Sequence, residues 1–355
     1  MIPKPGEAKV SRPTSEPRWR AVARPLSLYS LLLVAFLSSR DRLPEADLPP
    51  VALLNSLLHL LLKPAVLGVP LALALRRWRL AALLMPLAAE FLRQYGAQLW
   101  RAARPPKPIS APRSFTALTH NLHKESERLA PILAVIRNLN ADVVALQELS
   151  SRAAACLEQE LACEYPYRSL QPYPDFPSAG QGILSRFPLS EVLYWRHEGI
   201  VNALGHQRAL LSVHGVQIAL YNLHPVHPGM VGKLFDARPR QWEIEQIMAR
   251  AAAEKRSVLL LGDFNMTDQA DAYRQITARY YDVFRRVGVG MGYTFPAWRY
   301  PQARKLANGL PLGWLPPLFR IDYAFASEGL QALSARVWPD SGGSDHLPLW
   351  VQLAV

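Results

Sequence analysis

The chain has 355 residues, with 40 Lys or Arg against 28 Asp or Glu and a formal net charge of +12. The excess is uneven, because residues 1–108 hold 16 basic against 6 acidic residues, while residues 109–355 hold 24 against 22. The larger part is therefore near neutral, and the overall charge does not indicate a nucleic-acid-binding surface on it. Two cysteines, Cys156 and Cys163, are too few for a disulfide framework.

The first hundred residues are predicted to be a membrane region behind a polar N-terminus. Residues 1–25 are rich in Pro and Arg, and we expect them to be disordered. Apolar runs follow at Leu26–Ser39, Leu48–Leu75 and Leu80–Leu92. The second is the clearest, because a transmembrane helix needs about 20 residues. We interpret residues 26–100 as three transmembrane helices, with two spans or a soluble helical hairpin as alternatives.

Basic residues around these runs predict which side of the membrane each end occupies. Residues 1–25 carry six Lys or Arg against two acids, and residues 76–79 carry three Arg, so both segments favour the cytoplasm. The loop at residues 40–47 has two Arg against three acids and fits the outer side. Three spans then place the rest of the chain outside the cytoplasm. Four basic residues between positions 93 and 107 favour the opposite placement.

A new pattern begins after residues 101–113, a Pro-rich segment that is predicted to be a semi-rigid linker. Short apolar runs such as Val143–Leu146 are typical of buried strands. Between them, residues such as Leu129, Ile132, Leu133 and Ile136 have the spacing of a helix that buries one face. Many strands with a few helices predict an α/β domain over residues 114–355, with two sheets packed face to face and helices outside.

Polar residues directly follow several predicted strands, most clearly in Leu259–Asp268 (LLLGDFNMTD). There a run buried on both faces ends in Gly262, Asp263 and Asn265. A helix cap is the simpler explanation for an isolated sequence of this kind. Loops at the ends of rigid strands often hold catalytic groups, however, and five such ends predict one shared site. The other four ends are Gln147–Glu148, His224, Asp322 and Asp345–His346.

Seven short motifs stand in order along the domain. They are THNL (119–122), LQE (146–148), GILSR (182–186), NLH (222–224), GDFN (262–265), RIDY (320–323) and SDH (344–346). Together they resemble the endonuclease/exonuclease/phosphatase superfamily, the deoxyribonuclease-I-like hydrolases. The resemblance covers Ser114–Val355 and implies a four-layered α/β sandwich. It is closest to the membrane-anchored bacterial members, which carry apolar helices before the catalytic domain.

The resemblance implies hydrolysis of a phosphoester with Mg²⁺ or Mn²⁺ bound by Asn121, Glu148 and Asp345. The chemistry is consistent with this, because a phosphoester needs a cation, a positioned water and hydrogen-bond donors around the phosphoryl group. A carboxylate such as Glu148 is the hard oxygen ligand that Mg²⁺ prefers. By the same resemblance, Asp263 orients or deprotonates the attacking water and Asn265 binds the phosphate.

Histidines complete the predicted site. The resemblance pairs Asp322 with His346, so that a charged imidazole faces the phosphoryl group. It makes His224 a phosphate contact or proton donor. His123 and His227 match no motif position, and we interpret both as structural.

The substrate is left open among a lipid headgroup, a small phosphodiester and a nucleic acid. A near-neutral domain weakens the nuclease interpretation, because nucleic-acid binding depends on Lys and Arg at phosphates. Tethering to a lipid bilayer favours a lipid headgroup, and no obligate protein partner is predicted. A catalytically silent scaffold that binds a partner through the aromatic segment at residues 292–319 is the alternative from another class.

Overall fold

The computed structural model describes residues 18–104, 111–124, 129–229, 235–297 and 315–355. Most of the N-terminus that we predict to be disordered lies outside these ranges. So do residues 105–110 of the predicted linker and residues 298–314 of the aromatic segment.

Three long helices come first, and shorter helices are distributed among the strands of the remaining chain. The described helices are α1 (Arg18–Ser39), α2 (Pro49–Ala74), α3 (Trp78–Ala103), α4 (Leu129–Leu139), α5 (Ser151–Glu160), α6 (Arg238–Ala252), α7 (Asp271–Thr277) and α8 (Val283–Val287). The described strands are β1 (Ser114–Asn121), β2 (Val143–Gln147), β3 (Tyr167–Gln171), β4 (Gln181–Ser185), β5 (Leu189–Arg196), β6 (Gly205–Val213), β7 (Val216–Leu223), β8 (Ser257–Asp263), β9 (Tyr281–Asp282), β10 (Asp322–Ala326), β11 (Gln331–Val337) and β12 (Leu349–Ala354).

The strands form two six-stranded mixed sheets that pack face to face. The spatial order is β11-β12-β1-β2-β4-β3 in the first sheet and β5-β6-β7-β8-β10-β9 in the second. The pairs β1–β2 and β7–β8 are parallel. Helices α4 and α5 cover the outer face of the first sheet, and α6 and α7 cover the outer face of the second. The predicted four-layered α/β sandwich is confirmed.

Strand β8 shows why a continuous apolar run was the right signal for a central strand. Leu259 and Leu261 face the core between the two sheets, whereas Val258 and Leu260 face α6 and α7. Both faces are buried, so no polar residue alternates with the apolar ones. The strand is thereby held rigidly, and this fixes the position of its last residue, Asp263, at the carboxyl end of the strand.

The register of the second sheet brings three polar strand ends together. Asp322 at the start of β10 pairs with Asp263 at the end of β8. Leu223 at the end of β7 pairs with Gly262, so His224 emerges beside Asp263. Because β7 and β8 are parallel, their carboxyl ends meet at the same sheet edge.

The first sheet supplies the remaining polar ends. Asn121, the last residue of β1, pairs with Gln147, the last residue of β2, and Glu148 follows directly. Asp345 and His346 lie in the turn before β12, which pairs with β1 on its other side. The site is therefore supplied by both sheets of the sandwich.

The chain divides into two compact units. One contains the described residues up to Asp41 and residues 62–92, and it exposes large apolar side chains such as Leu67 (77% exposed) and Leu71 (61%). Exposed apolar surface of this kind is typical of a membrane or protein contact. The other unit contains residues 42–61 and 93–355, and thus both sheets. Parts of α2 and α3 that composition assigned to the membrane region therefore belong to the unit of the sandwich.

Of the helices that the structure describes, α2 is the one long and apolar enough to cross a membrane by length and composition. The predicted runs Leu26–Ser39 and Leu80–Leu92 lie within α1 and α3. Helix α3 also carries Glu90 and Arg93, which lower its apolar character. The number of spans therefore stays a prediction.

Within the larger unit, the start of α2 is held to the sandwich by buried polar contacts. Asn55 donates to Glu45 (Nδ2 to Oε1, 2.8 Å), and the backbone N–H of Glu45 donates to the Asp271 carboxylate at 3.0 Å. His59 Nε2 lies 2.8 Å from the carbonyl oxygen of Leu318. Two polar side chains of this otherwise apolar helix, Asn55 and His59, thus fix which face of α2 contacts the sandwich.

Candidate active site

The carboxylate of Asp263 is the centre of the site, because side chains from three other elements converge on it. Its Oδ2 accepts from Asn121 Nδ2 at 3.1 Å and lies 3.4 Å from His224 Nε2 and 3.6 Å from His346 Nε2. Asp263 is almost fully buried. Burial alone raises the pKa of this carboxyl, but His346 and His224 outweigh burial and hold the pKa below its usual value. Asp263 is therefore anionic at neutral pH.

The turn after Asp263 depends on a glycine and on a left-handed asparagine. A Cβ on Gly262 would lie 1.9 Å from the carbonyl oxygen of Leu223, so only glycine allows β7 and β8 to approach this closely. Asn265 has a φ of 49°, a conformation that asparagine tolerates better than most residues. Its backbone N–H donates to Asp263 Oδ1 at 2.9 Å, and its side-chain amide donates to the Pro225 carbonyl at 3.0 Å.

His346 lies between two carboxylates. Its Nδ1 is 2.9 Å from Asp322 Oδ2, and its Nε2 faces Asp263. Burial lowers the pKa of His346, but Asp322 and Asp263 reverse this effect and raise the pKa well above the usual histidine value. His346 is accordingly a buried imidazolium, held by an Asp322–His346 pair of the kind that the motifs imply.

His224 is the second imidazole that faces the Asp263 carboxylate. Burial lowers the pKa of its imidazole, but the hydrogen bond and the charge of Asp263 raise the pKa above the usual value. Two imidazoles with raised pKa therefore face one carboxylate. Such a group of donors is suited to bind an oxyanion.

A second cluster, His197, His206 and Glu243, has side-chain atoms spaced as in a metal site. The backbone N–H of His224 donates to His206 Nδ1 at 3.3 Å, which puts the proton of the neutral ring on Nε2, 3.5 Å from Glu243 Oε1. A metal at Nε2 would require the other tautomer, with two N–H groups facing each other. The pair His206–Glu243 therefore supports the backbone of His224 rather than holding an ion.

The predicted metal ligands meet beside Asp263. Asn121 Nδ2 also lies 3.4 Å from Glu148 Oε1, and Glu148 Oε2 accepts from the backbone N–H of Lys124 at 2.9 Å. Glu148 has a φ of 55°, which is unusual for this residue type and places its carboxylate toward the site. Strained backbone of this kind is concentrated at functional positions.

The surroundings of the Asp345 carboxylate show whether these residues fit a hard cation. Its Oδ1 is buried without a hydrogen-bond partner among the described residues. Burial raises the pKa of its carboxyl, and the neighbouring Glu148 carboxylate adds to that effect. The carboxylates of Glu148 and Asp345 supply the hard oxygen donors that Mg²⁺ or Mn²⁺ uses, whereas the Asn121 amide oxygen accepts from the backbone N–H of His123 at 3.0 Å. The residues fit the ion.

Asp263, Asp322 and His346 also have ligand atoms close enough for a metal. Here the spacing has another explanation, because the imidazolium of His346 already neutralises the two carboxylates between which it lies. This trio is therefore an ion-paired group and not a second cation site.

A pocket of about 400 Å³ opens over these residues. Glu148, His224, Asp263, Asn265, Asp345 and His346 line it, so six of the eight predicted site residues share one cavity. The other two lie behind its wall, since Asn121 bonds to Asp263 and Asp322 bonds to His346. The structure thus brings the whole predicted set together.

Several pocket residues were missed by the motifs. His123 and His227, which we interpreted as structural, both line the pocket, as do Lys124 and Ser178. The signal available in the sequence was their position one to four residues from motif residues. Ser56, which also lines the pocket, lies far from every motif and gave no such signal.

The sequence pattern of the Endonuclease/Exonuclease/phosphatase family matches residues 118–346, nearly two thirds of the chain. The chain belongs to this family. No curated protein matches it in a sequence comparison. Residues 42–61 and 93–104, which share a compact unit with the sheets, lie outside the matched family region.

Solved structures of the family domain share its fold at low sequence identity. An endonuclease/exonuclease/phosphatase from Beutenbergia cavernae DSM 12333 is 20% identical, with a TM-score of 0.53 over 68% of this chain and 72% of that one. A mannosyl-6-phosphatase from Bacteroides thetaiotaomicron VPI-5482 is 16% identical, with a TM-score of 0.51 over 68% and 100%. Truncated Caenorhabditis elegans TDP2 is 16% identical, with a TM-score of 0.51 over 68% and 98%.

Beneath the family site, a buried polar network joins the two sheets. Gln147 Nε2 donates to Asn222 Oδ1 at 2.7 Å and to Thr119 Oγ1 at 3.0 Å. Asn222 in turn donates to the carbonyl oxygens of Leu146 and Gly182, both at 3.0 Å. These residues belong to the family motifs but do not line the pocket. Their role is to fix the first sheet against the second, because a fully bonded buried network specifies one arrangement.

Two further networks connect the family domain to residues outside the matched region. The buried guanidinium of Arg240 contacts Glu45 and also donates to the backbone carbonyl of Asn265 at 2.6 Å. Tyr95 near the end of α3 donates to Asp268 Oδ1 at 2.8 Å, and Asp268 lies 3.4 Å from Arg320, two residues before Asp322. The loops that carry Asn265 and Arg320 are therefore both connected to groups outside the family region, Glu45 before α2 and Tyr95 in α3.

Proposed function

We propose that the protein is a membrane-associated, divalent-metal-dependent phosphoesterase that hydrolyses its substrate by attack of water. The observation that carries the proposal is the convergence of Asn121, His224 and His346 on Asp263, beside the carboxylates of Glu148 and Asp345. A catalytically silent scaffold has no need of this arrangement, in which buried charges cost free energy unless they act together.

Asn121, Glu148 and Asp345 would hold Mg²⁺ or Mn²⁺. When bound, the ion would neutralise negative charge on the phosphoryl oxygens and so polarise the phosphorus for attack. The neighbouring carboxylates of Glu148 and Asp345 would favour binding of the ion, because a cation relieves their mutual repulsion.

The chain's own residues would orient the water and stabilise charge. The lowered pKa of Asp263 makes it a weak base, so its main role is to accept a hydrogen bond from the attacking water and align it. His346 and His224, with raised pKa values, would each donate a proton-bearing nitrogen toward the phosphoryl oxygens. Asn265 would hold the phosphate through the amide hydrogen that does not bond to Pro225.

The test is turnover of bis-(p-nitrophenyl) phosphate by the purified full chain. The full chain is required, because residues 42–61 and 93–104 belong to the compact unit of the sheets. We expect release of p-nitrophenolate with Mg²⁺ or Mn²⁺, abolition by EDTA and recovery on adding metal. Asp263→Asn should lose activity, whereas Asp175→Asn, at an exposed position, should retain it. Equal activity in the two variants would refute the assignment.

Membrane association is supported by the length and apolar composition of α2 and by the exposed leucines of the smaller unit. We further propose a multi-pass topology that places the catalytic domain outside the cytoplasm, on the basis of the basic residues flanking the apolar runs. Alkaline phosphatase fused after Val355 should then be active, and a fluorescent protein that matures only in the cytoplasm should be dark. The reverse pair of results would place the domain inside.

A further inference from the structure

The pocket over Asp263 is lined by charged and by apolar side chains. Asp263, Glu148 and Asp345 are among the charged ones, where the phosphoryl group is expected. Phe235, Met266, Phe295, Phe319 and Ile321 are among the apolar ones. A phosphoester without an apolar group would make no use of these apolar side chains, so they point to a substrate that carries one.

Helix α2 contributes one residue, Ser56, to the pocket wall. On the same face of the helix, His59 contacts Leu318 of the family domain, and Asn55 contacts Glu45, whose backbone bonds to Asp271. All three residues are buried, whereas Leu53 and Leu54 on the same helix are 38% and 37% exposed. The helix therefore turns these polar residues toward the domain, and Leu53 and Leu54 lie on its exposed side.

Ring contacts and backbone hydrogen bonds together connect α2 to the catalytic imidazole. The ring of His59 lies 5.6 Å from that of Phe319 in an edge-on arrangement. Phe319 exchanges backbone hydrogen bonds with Phe295, and the Phe295 ring lies 4.9 Å from that of His346. Two phenylalanines that line the pocket thus lie between α2 and the site of reaction.

Charge on the pocket wall argues against a nucleic acid. Lys124 is the one Lys or Arg among the described residues that line the pocket. A nucleic-acid strand needs several cationic side chains to neutralise successive phosphates. A single phosphate that receives His224, His346 and a metal does not need them.

We propose that the substrate is a lipid phosphate ester, whose phosphate lies over Asp263 while its hydrocarbon lies between Ser56 and the Phe295–Phe319 pair. This proposal rests on the proposed phosphoesterase function and adds the class of substrate. Helix α2 has two roles in it, because one side of the helix contacts the hydrocarbon and the other contacts the bilayer from which the substrate comes.

The experiment uses a homologous series of p-nitrophenyl alkyl phosphates, with ethyl, butyl, hexyl and octyl groups, below their micellar concentrations. In each reaction water forms a new bond to phosphorus and the bond to the aryl oxygen breaks. The products are p-nitrophenolate and an alkyl phosphate, and the water proton passes to buffer. The reacting atoms are identical throughout, so kcat/KM reports only how the alkyl chain is bound.

We expect kcat/KM of the full chain to rise with chain length by up to about fourfold per added methylene, since complete burial of a methylene contributes about 0.8 kcal/mol. Most of the rise should be in KM. Ser56→Trp places a large ring in the pocket, so the ratio of kcat/KM for the octyl ester to kcat/KM for the ethyl ester should fall at least tenfold. The matched control is Leu54→Trp, on the exposed side of the same helix, where the ratio should stay as in the wild type.

The possible failures are distinguishable. Turnover of every ester with no dependence on chain length would overturn the lipid assignment and leave the phosphoesterase intact. No turnover of any ester would refute the phosphoesterase itself. If Ser56→Trp left the chain-length dependence unchanged, the dependence would come from partitioning of the longer esters into the detergent that solubilises the protein. That result would also overturn the proposal. Hydrolysis of an oligonucleotide with a higher kcat/KM than the octyl ester would point to a nuclease instead. The wild-type series decides the question even if Ser56→Trp does not fold.

Discussion

The guanidinium of Arg240 lies 3.5 Å from the carboxylate of Glu45, across 195 positions of the sequence. Both side chains are buried, and the same guanidinium donates to the carbonyl oxygen of Asn265. One residue thus connects the loop before α2 to the loop that follows β8. The loop before α2 is therefore part of the support of the candidate site.

Breaking this pair should destabilise the protein strongly. Arg240→Met leaves the Glu45 carboxylate buried without its partner, which costs about 3–5 kcal/mol and should lower Tm on the order of 10 °C. The control is Arg137→Met, which removes an exposed pair with Glu164 and should shift Tm by no more than about 2 °C. Thermal unfolding of the full chain measures both. Similar shifts for the two variants would contradict a supporting role for Arg240.

Glu148→Gln should weaken metal dependence without disturbing the fold. The substitution keeps the shape of the side chain but removes one anionic oxygen from the predicted cation site. We expect the Mg²⁺ concentration for half-maximal activity to rise at least about tenfold, while Tm stays that of the wild type. Glu158→Gln, at an exposed ion pair with Arg168, is the control and should leave the metal titration unchanged. An unaltered titration in Glu148→Gln would remove Glu148 from the ligand set.

His346→Ala and Asp322→Asn should impair the same step. Asp322 accepts from His346 Nδ1 and stabilises the charged imidazole, so neither residue acts without the other. Each single change should lower kcat by about 10²–10⁴-fold, and the double change should lower it by much less than the product of the two effects. His214→Ala, an exposed histidine that contacts Ser114, is the control and should not affect kcat. Losses that multiply fully would mean that the two residues act independently.

Acid should destabilise the fold through His120. Burial, together with the charge of His346, lowers the pKa of His120 to about 3. The unfolded chain binds a proton near pH 6.5 while the folded chain does not, so stability contributed by the neutral ring falls as pH drops below that value. Between pH 7 and pH 5 the loss from this residue should be about 2 kcal/mol. The urea midpoint of His120→Gln should fall less over this range than that of the wild type, and an equal fall would contradict the prediction.

Much of the fold could be predicted from local sequence. The run Val258–Leu261 predicted a strand buried on both faces, and the structure shows one. Gly262 was predicted to allow a tight exit, and its contact with the Leu223 carbonyl shows why no larger residue fits. Polar residues at strand ends indicated a shared site, because strands of one sheet can end at the same edge.

The sequence by itself indicated the sandwich and the eight candidate site residues, through its periodicity, its polar strand ends and the family resemblance that the motifs carry. Only the tertiary structure decided that His123 and His227 line the pocket and that Ser56 joins them. It also decided that Glu45 and Tyr95 belong to the supports of the catalytic loops. The physical reason is that a helix with apolar residues all round has no amphipathic pattern in its sequence to mark the face that becomes buried. Which face meets the domain depends on a few polar contacts between residues far apart in the chain, and no local pattern records those contacts.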